Sequence, residues 1–471
     1  MSNLKLVSLL MIAVLAAGWS DAPRADEASP EEAPAFFAGN EELRGYLLEA
    51  AENHPLLKAH YEDWRAALER IPQAGALEDP MFTYTQFIVT DESYFMVDLE
   101  QKFPWFGTRA VRKEKAAAEA EYWLAHLHEQ RNAVFREVKM AYFDYAFLME
   151  ELKLVGHQAG IMAESVEVAR AQYESGWSSE AEVLRMEQEL AKMNNMRSEL
   201  EQMEPASRAA LNAALNRPQD APIAAPQAAE FPPEPPTQES LEAAIKSNNP
   251  SLRMFDHTLD AEEKDVELAR RMKYPDITIG VDYALDRNMR AARTDPFEPG
   301  RLQTYRDLGM IAAGHEEFTG GTAIDLYETF KFKETERGVT DELTVSIGIN
   351  LPIWKKKIRA GVAEKEHMAN ATRWHQEDEQ RMLATEAREN SFQWNDATRR
   401  MALYGEDLLK REETILEGLQ AEYASGSEMV SILEMLESMR NVMEFKLEHL
   451  RAAKDKHQAA AILEYLIGAP W

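Results

Sequence analysis

Apolar and polar residues alternate in four segments of the chain, with the period of two that is typical of β-strands. Residues 343–351 show it most clearly, and residues 277–285, 95–103 and 81–89 follow, the last with less clearly divided faces. Each segment has about nine to eleven residues, the length that a tilted strand needs to cross a bilayer. A sheet covering a soluble core is the alternative, but the chain offers no separate core for these segments. We therefore predict two membrane-spanning β-hairpins.

Four strands cannot form a closed barrel, because the outer strands would leave backbone groups unpaired in lipid. Three copies of the chain would supply twelve strands, so the strand pattern predicts an oligomer and favours a trimer. Trp105 and Phe106 lie just beyond a predicted strand end. Their position suits an aromatic girdle at the boundary between lipid and water.

Apolar residues recur every three to four positions in two long segments that contain no proline. These segments are residues 108–172 and 353–423. At a rise of about 1.5 Å per residue, the first would form a helix of roughly 100 Å. Each segment ends near a Ser-Gly pair, Ser175-Gly176 and Ser425-Gly426. Glycine readily adopts the left-handed conformation that ends a helix. We expect each pair to form a turn between antiparallel helices.

The returning helices are predicted over residues 180–204 and 428–466. Their apolar residues have the three-four spacing of coiled coils. Methionine is frequent at these positions, where it is an ordinary core residue rather than a metal ligand. The positions are Val183, Met186, Leu190, Met193, Leu200, Met203, Met429, Ile432, Leu436, Met439, Met443 and Leu450. The sequence therefore predicts an extended helical body.

One structural unit occurs twice in the chain, because five landmarks recur in the same order with nearly equal spacing. They are Asn53-His54-Pro55 with Asn248-Asn249-Pro250, Pro80 with Pro275, residues 97–105 with 345–353, residues 172–176 with 422–426, and Pro218 with Pro470. We predict a first repeat over residues 41–217, with a helix, a β-hairpin and a long helical hairpin. A proline-rich linker over residues 218–237 and a second repeat over residues 238–471 follow. The repeats differ at the hairpin loops, a tight turn at residues 90–93 and a long polar loop at residues 286–341.

The first residues have the pattern of an export signal. Lys5 precedes an apolar stretch that ends in small residues, which predicts a signal peptide over residues 1–25. Residues 26–40 are expected to form a flexible leader. No later stretch approaches the roughly 20 continuous apolar residues of a membrane helix, so any membrane crossing must use strands. The chain has no cysteine, which excludes disulfides and lipid attachment at an N-terminal cysteine.

Charge and motif content narrow the function classes. The chain carries 82 acidic against 52 basic residues, a net charge of −30, which argues against nucleic acid as a partner because nucleic acid requires a basic surface. No phosphate-binding loop, zinc histidine pair or nucleophile elbow is present. We therefore expect no catalytic residue, no cofactor and no metal site, and we do not expect an enzyme.

These features together make the chain similar to the TolC family of outer-membrane efflux proteins. Besides the repeat and the Ser-Gly turns, the similarity rests on the runs Ala74-Gly75-Ala76-Leu77-Glu78-Asp79-Pro80 and Gln101-Lys102-Phe103-Pro104-Trp105-Phe106-Gly107. Both runs are most similar to the heavy-metal-cation branch of the family. The resemblance implies a TolC-like α/β-barrel protomer, mainly helical, with four transmembrane strands and long antiparallel coiled-coil helices. It also implies a homotrimer in the bacterial outer membrane that extends into the periplasm.

The resemblance implies partners and sites as well. A periplasmic adaptor (membrane fusion) protein would dock at the tip turns Ser175, Gly176, Ser425 and Gly426, and an inner-membrane RND-type pump would supply energy. Leu433-Glu434-Met435-Leu436-Glu437 matches the family's acidic tip pattern, with glutamate in place of aspartate. Glu434 and Glu437 are thus candidates for an acidic pore ring, which attracts cations. The alternative is that both glutamates face solvent on a coiled coil.

The sequence therefore predicts the outer-membrane channel of a tripartite efflux system. It would passively conduct substrates, heavy-metal cations among the candidates, out of the cell. Two alternatives remain open. One is the exit duct of a type I protein secretion system, and the other, from a different class, is a periplasmic coiled-coil scaffold without a pore.

Overall fold

The computed structural model describes residues 41–89, 92–224, 226, 231, 234–287, 326–331, 339–424 and 432–469. The predicted signal peptide and leader lie outside these residues, as do residues 90–91 of the predicted first hairpin turn. Ser425 and Gly426 of the second predicted tip turn also lie outside the described residues.

Two rounds of helix, strand hairpin and long helical hairpin make up the described chain, as the internal repeat predicts. The elements of the first round are α1 (Glu41–Asn53), α2 (Pro55–Gly75), β1 (Met81–Val89), β2 (Glu92–Phe103), α3 (Thr108–Glu174) and α4 (Glu180–Ala214). Those of the second are α5 (Gln238–Asn248), α6 (Pro250–Arg271), β3 (Ile277–Arg287), β4 (Leu326–Lys331), β5 (Val339–Ile349), α7 (Lys355–Met401), a π-helical turn (Ala402–Leu408), α8 (Leu409–Ala424) and α9 (Ile432–Ile467).

The first landmark of each repeat is a break between two helices. The residue before a proline is disfavoured in helical conformation, whereas proline itself fits the first helical position. Helix α1 accordingly ends at Asn53 and α2 begins at Pro55. In the second copy the side chain of Asn249 accepts a hydrogen bond from the Leu252 amide at 3.2 Å and donates one to the Leu466 carbonyl at 2.8 Å. This break therefore also holds the end of α9 in place.

All five strands of the described chain belong to one antiparallel sheet with the order β1-β2-β3-β5-β4. Strands β1, β2, β3 and β5 have nine, 12, 11 and 11 residues, and they confirm the four predicted strands of membrane length. The expectation of a continuous loop over residues 286–341 was wrong. Strand β3 reaches Arg287, β5 begins at Val339, and the six residues of β4 pair with β5.

Two helices differ from the sequence prediction. Helix α4 was expected to end near residue 204, but it continues through Pro205 to Ala214. Its last turns bury Leu211 and Ala214 in a core cluster, and burying such side chains offsets the roughly 3 kcal/mol that an interior proline costs a helix. The second long helix contains the π-helical turn, where Gly405 lies against the ring of His449. A side chain inserted against the backbone is an established cause of such irregularities.

The described residues pack as two compact units. The helical unit comprises the described residues up to 65, from 122 to 255 and from 375 onward, and the sheet unit comprises residues 66–121 and the described part of 256–374. One core cluster of the helical unit joins α1, α2, α3 and α4 around Leu57 and Tyr142, which are fully buried. A second joins α3, α4 and α9 and buries six methionines: Met162, Met186, Met193, Met435, Met439 and Met443.

Candidate functional site

The sheet exposes one apolar face that extends over four strands. Register sets Phe82, Leu99, Val281 and Val345 in one row across β1, β2, β3 and β5. Neighbouring rows of this face carry apolar residues in the same way. The most exposed are Phe82 at 66%, Tyr84 at 56%, Leu99 at 47%, Ile347 at 42% and both Ile279 and Val281 at 40%. A contiguous apolar surface of this kind marks contact with a membrane or a partner.

The other face of the sheet is polar and acidic. The adjacent row consists of Thr83, Asp98, Asp282 and Thr344, so two carboxyl groups oppose each other at its centre. One carboxyl oxygen of Asp98 is buried without a hydrogen-bond partner. Such a group raises the free energy of the folded chain unless a charge or water compensates it. This face is therefore built to meet water or cations and not an apolar core.

Close packing on the polar face depends on one glycine. A Cβ atom at Gly280 would collide with the side-chain oxygen of Ser346, its register partner on β5. Glu100 opposes the same glycine from β2. The alternation over residues 95–103 and 277–285 puts Asp98, Glu100 and Asp282 on the polar faces of their strands. Only the register shows that they meet. No sequence signal fixes that register, because the segments between the strands do not determine it.

Aromatic residues collect at one end of the sheet. Phe103, Ile277 and Ile349 form the last shared row, and the aromatic residues lie directly beyond it. The ring of Trp105 stacks on that of Tyr274 with centroids 5.0 Å apart, and Phe106 and Trp354 are 77% and 63% exposed. Trp105 and Phe106 thus lie just beyond the strand end, and their role in an interfacial girdle stays a prediction. Sequence reasoning missed Tyr274 and Trp354, which follow the same rule of flanking a strand end.

The first predicted tip turn is a well-defined helix end. Helix α3 ends at Glu174, and Gly176 has φ +79°. The Gly176 amide donates to the Tyr173 carbonyl at 3.0 Å, and the Trp177 amide donates to the Gln172 carbonyl at 2.8 Å. This pair of bonds is the Schellman motif, in which glycine is favoured because it lacks Cβ. Ser175 and Gly176 therefore form the predicted turn.

The residue that starts the next helix completes this turn. The Ser179 side chain accepts a hydrogen bond from the Glu182 amide at 3.3 Å, and the Glu182 carboxylate accepts one from the Ser179 amide at 3.0 Å. The hydrogen bond that the Glu182 carboxylate accepts from the Ser178 hydroxyl, followed by the one from the Ser179 amide, lowers the pKa of Glu182. A capping box of this kind fixes the first turn of α4. Trp177, 77% exposed, lies between the two helices and is the largest apolar side chain of the turn.

Glu434 and Glu437 lie in the first two turns of α9 and are exposed on the same side of the helix. The opposite side of α9 buries Met435, Leu436 and Met439 against α3 and α4. Both carboxylates therefore point away from the core of their own chain. Their role in an acidic pore ring stays a prediction.

Several histidines of the helical unit are packed against neighbouring side chains. The rings of His60 and His126 meet edge to face at 4.5 Å. Burial lowers the pKa of His128 to about 3 and that of His457 to about 4. Among the described residues, no group of three or more His, Cys, Asp or Glu side chains is placed to hold a metal ion. The described helices also include none that is long and apolar enough to cross a membrane.

Comparison with known proteins identifies a matching protein family and solved structures with a similar fold. The family model described as "outer membrane efflux protein" matches residues 47–217 and 242–469. Among curated protein sequences no significant match to the chain was found.

Solved structures of outer-membrane proteins share the fold of the whole chain. The chain is similar to CusC, a protein that forms a transmembrane channel, with 13% identity, a TM-score of 0.71 and coverage of 96% of this chain and 99% of CusC. It is similar to the outer membrane protein VceC of Vibrio cholerae, with 13% identity, a TM-score of 0.68 and coverage of 92% and 97%. It is also similar to the open outer membrane channel MtrE of Neisseria gonorrhoeae, with 12% identity, a TM-score of 0.65 and coverage of 96% and 97%.

Proposed function

Because the chain belongs to the outer membrane efflux protein family, we propose that three copies of it form the outer-membrane channel of a tripartite efflux system. Proteins of this family are outer-membrane channels and not enzymes, so the chain is an outer-membrane protein that extends into the periplasm. In the proposed trimer each copy contributes β1, β2, β3 and β5 to a barrel of twelve strands. The helices of the three copies would form the periplasmic part of the channel.

The apolar face of the sheet is the observation that carries this proposal. In a single chain six large apolar side chains on three adjacent rows lie between 40% and 66% exposed. In water, such a surface costs roughly 25 cal/mol for each Å² that stays uncovered. Lipid around a closed barrel would cover this face completely and leave the acidic face toward the pore.

The charge of the polar face bears on the substrate. Asp98, Glu100 and Asp282 of each copy would give the barrel nine carboxyl groups from three chains, placed on the pore side. Rings of carboxylates favour cations over anions. We therefore propose cationic substrates, with heavy-metal cations favoured by the runs at residues 74–80 and 101–107 that are most similar to that branch of the family.

The proposed partners meet the helical unit. We place the periplasmic adaptor at the turns of Ser175 with Gly176 and of Ser425 with Gly426, and an inner-membrane RND-type pump behind the adaptor. At the first turn the Schellman motif and the capping box hold the backbone rigid, and Tyr173 and Trp177 are 47% and 77% exposed. Exposed aromatic side chains on a rigid backbone are typical of protein-binding surfaces.

Purified protein in planar lipid bilayers tests the channel. We expect stable conductance steps and an oligomer of three chains in detergent. A protein that leaves the membrane fraction without detergent and gives no conductance would instead be the periplasmic scaffold. Identification of the transport proteins that co-purify with the chain separates efflux from protein secretion, because a type I system would yield an ABC exporter in place of a proton-driven pump.

The acidic ring at the tip has its own test. We expect Glu434→Gln with Glu437→Gln to weaken the block of the channel by multivalent cations, because the change removes up to six carboxylates from the three chains while it preserves side-chain size. Single-channel current with increasing trivalent cation measures the block. Glu444→Gln, an exposed residue farther along the same helix, is the matched control. Equal block in the double variant and the control would show that the two glutamates only face solvent.

A further inference from the structure

Strand β4 occupies the side of β5 that the proposed barrel needs. Strand β5 pairs with β3 on one side and with β4 on the other. The outer strands of the described sheet are therefore β1 and β4. In a barrel with four strands from each chain, β5 must pair with β1 of the next copy. That pairing is impossible while β4 remains in place, because a strand has only two hydrogen-bonding edges.

The direction of β4 matches that of the strand it would exclude. All neighbouring pairs in the sheet are antiparallel. Strands β1 and β3 therefore run one way, and β2 and β5 run the other way. Strand β4, antiparallel to β5, runs in the same direction as β1. An incoming β1 from a second copy would thus meet β5 in the orientation that β4 already uses, and the two can exchange without turning β5.

Strand β4 is poorly suited to remain as a fifth membrane strand. It has six residues, whereas a tilted strand needs about nine to eleven to cross a bilayer. Its described residues pair with residues 342–347 of β5. Its sequence, Leu326–Lys331, includes the charged residues Glu328 and Lys331, and charged residues are costly wherever a membrane strand faces lipid.

We propose that β4 is an exchangeable guard strand, which covers the β5 edge of the unassembled chain and is displaced by β1 of a second copy when the barrel closes. This inference rests on the proposed twelve-stranded trimer. An open edge beside an apolar face is a template for wrong pairing and aggregation. A short strand that contains charged residues is a common protection for such an edge. Displacement is favourable because the nine residues of β1 offer a longer ladder than the six of β4.

An engineered disulfide tests the exchange, since the chain has no cysteine of its own. Tyr327 and Ser346 are register partners, so Tyr327→Cys with Ser346→Cys would tie β4 to β5 upon oxidation. We expect the unassembled chain to form this disulfide and the oxidised chain to lose trimer formation when lipid is added. Reduction should restore the trimer. Gel filtration in detergent measures the trimer fraction, and gel mobility without reductant measures the disulfide.

The control ties two strands that the exchange does not separate. Thr85→Cys with Met96→Cys joins register partners on β1 and β2, and we expect normal trimers from its oxidised form. If the oxidised β4–β5 variant forms trimers as well as this control does, β4 stays in place and the inference is wrong. If no disulfide forms between β4 and β5 in the unassembled chain, the inference is also wrong. If the reduced variants and the unmodified chain form no trimer, the proposed channel itself fails.

A second variant removes the guard without a disulfide. Glu328→Pro eliminates a backbone donor and disfavours the β4 ladder, while Glu328→Gln keeps the donor. We expect the proline variant to aggregate more than the glutamine variant before lipid is added, because its β5 edge is open. Assembled trimers of both variants should conduct equally. Light scattering of the unassembled chains measures aggregation, and equal scattering would contradict the guard role.

Discussion

The sheet and the helical unit arrange polar and apolar residues in opposite ways. In the sheet, Val281 and Leu99 are exposed, and a carboxyl oxygen of Asp98 is buried without a partner. In the helical unit, Met186 and Met439 are buried, and the carboxylates of Glu434 and Glu437 are exposed. The helical unit has the order of a protein in water. The sheet has the order expected where lipid covers the outside and water fills the inside.

This contrast explains how the same apolar residue types can face lipid in the sheet and a packed protein core in the helical unit. The alternating period of two in a strand assigns every second residue to lipid, and the period of three to four in a helix assigns one side to a neighbouring helix. Methionine and valine are apolar in both places, so composition alone does not separate the two units. The two units differ in the spacing of their apolar residues along the chain and in what each apolar face contacts.

The strongest test of the difference between the sheet and the helical unit is to introduce a charged residue on the apolar face of the sheet. Val281→Asp places a carboxylate in the middle of the exposed row on β3, and we expect loss of membrane-assembled trimers. A carboxylate at such a depth costs less than the roughly 2–4 kcal/mol of a lysine or arginine, but the trimer carries three of them. The fraction of protein that resists extraction from membranes by carbonate measures the effect.

Thr278→Asp is the matched control for that charge, because Thr278 lies on the polar face of the same strand. We expect this variant to assemble, since its carboxylate would lie opposite Lys102 and face the pore. Equal loss of assembly in both variants would mean that the two faces of the sheet do not differ, and the lipid assignment would fail.

In the helical unit, we expect a smaller buried side chain to reduce the stability of the folded chain. Met186 is 1% exposed in the cluster of α3, α4 and α9. We expect Met186→Ala to lower the free energy of unfolding by about 2–5 kcal/mol, because it leaves a cavity in a packed core. The sequence predicts Met203, on the same helix, as a seam residue, but this was wrong because Met203 is 57% exposed. It gives the control, and Met203→Ala should change the free energy of unfolding by less than about 0.5 kcal/mol. Thermal unfolding followed by circular dichroism compares them, and similar losses would show that the seam is not a core.

Sequence periodicity could predict much of this arrangement because each period reflects a local geometry. The four long strands, the long helices and the turn at Ser175 and Gly176 all follow from spacing, proline and glycine. The continuation of α4 through Pro205 could not be predicted in this way. It depends on Leu211, which is buried by residues far away in the chain, and tertiary packing outweighs the local preference there.

The residue types on each face of the candidate site could be predicted from the sequence, but the pairing of the strands could not. The sequence assigns Asp98 and Asp282 to polar faces, yet their opposition requires the pairing of strands that lie far apart in the chain. Strand β4 was missed for a related reason, because six residues within a long polar segment lack a pure alternation. Pairing with β5, and not a local pattern, makes Leu326–Lys331 a strand.

A smaller effect separates buried from exposed histidine within the helical unit. His457 stacks on Phe143 and Phe231 with centroids 4.5 and 4.8 Å apart, and burial lowers its pKa to about 4. The unfolded chain, with the ordinary pKa of about 6.5, binds more protons below that pH, so stability falls as pH decreases from about 6.5 to about 4. At pH 5 this one group costs about 2 kcal/mol relative to pH 8.

His457→Phe should remove that part of the pH dependence. We expect the variant to lose less stability than the parent between pH 8 and pH 5, with thermal unfolding at both pH values as the measurement. His128, whose pKa is lowered for the same reason, leaves a residual loss in the variant. His375→Phe, at an exposed position of the helical unit, should behave as the parent does. An unchanged pH dependence in the His457 variant would show that this histidine is not buried in the neutral form.

The smallest expected effect concerns two glycines of opposite role in and after helix α3. Gly176 has φ +79° in the Schellman turn, where any Cβ is strained, so Gly176→Ala should lower the free energy of unfolding by about 1–2 kcal/mol. Gly160 lies inside α3, and a Cβ there meets no atom within 4 Å, so Gly160→Ala should raise it by about 0.5–1 kcal/mol. Chemical denaturation of both variants measures whether each change lowers or raises the free energy of unfolding. If both changes stabilise the chain, Gly176 does not need its left-handed conformation, and the turn that we assign to the adaptor is no longer fixed by its backbone.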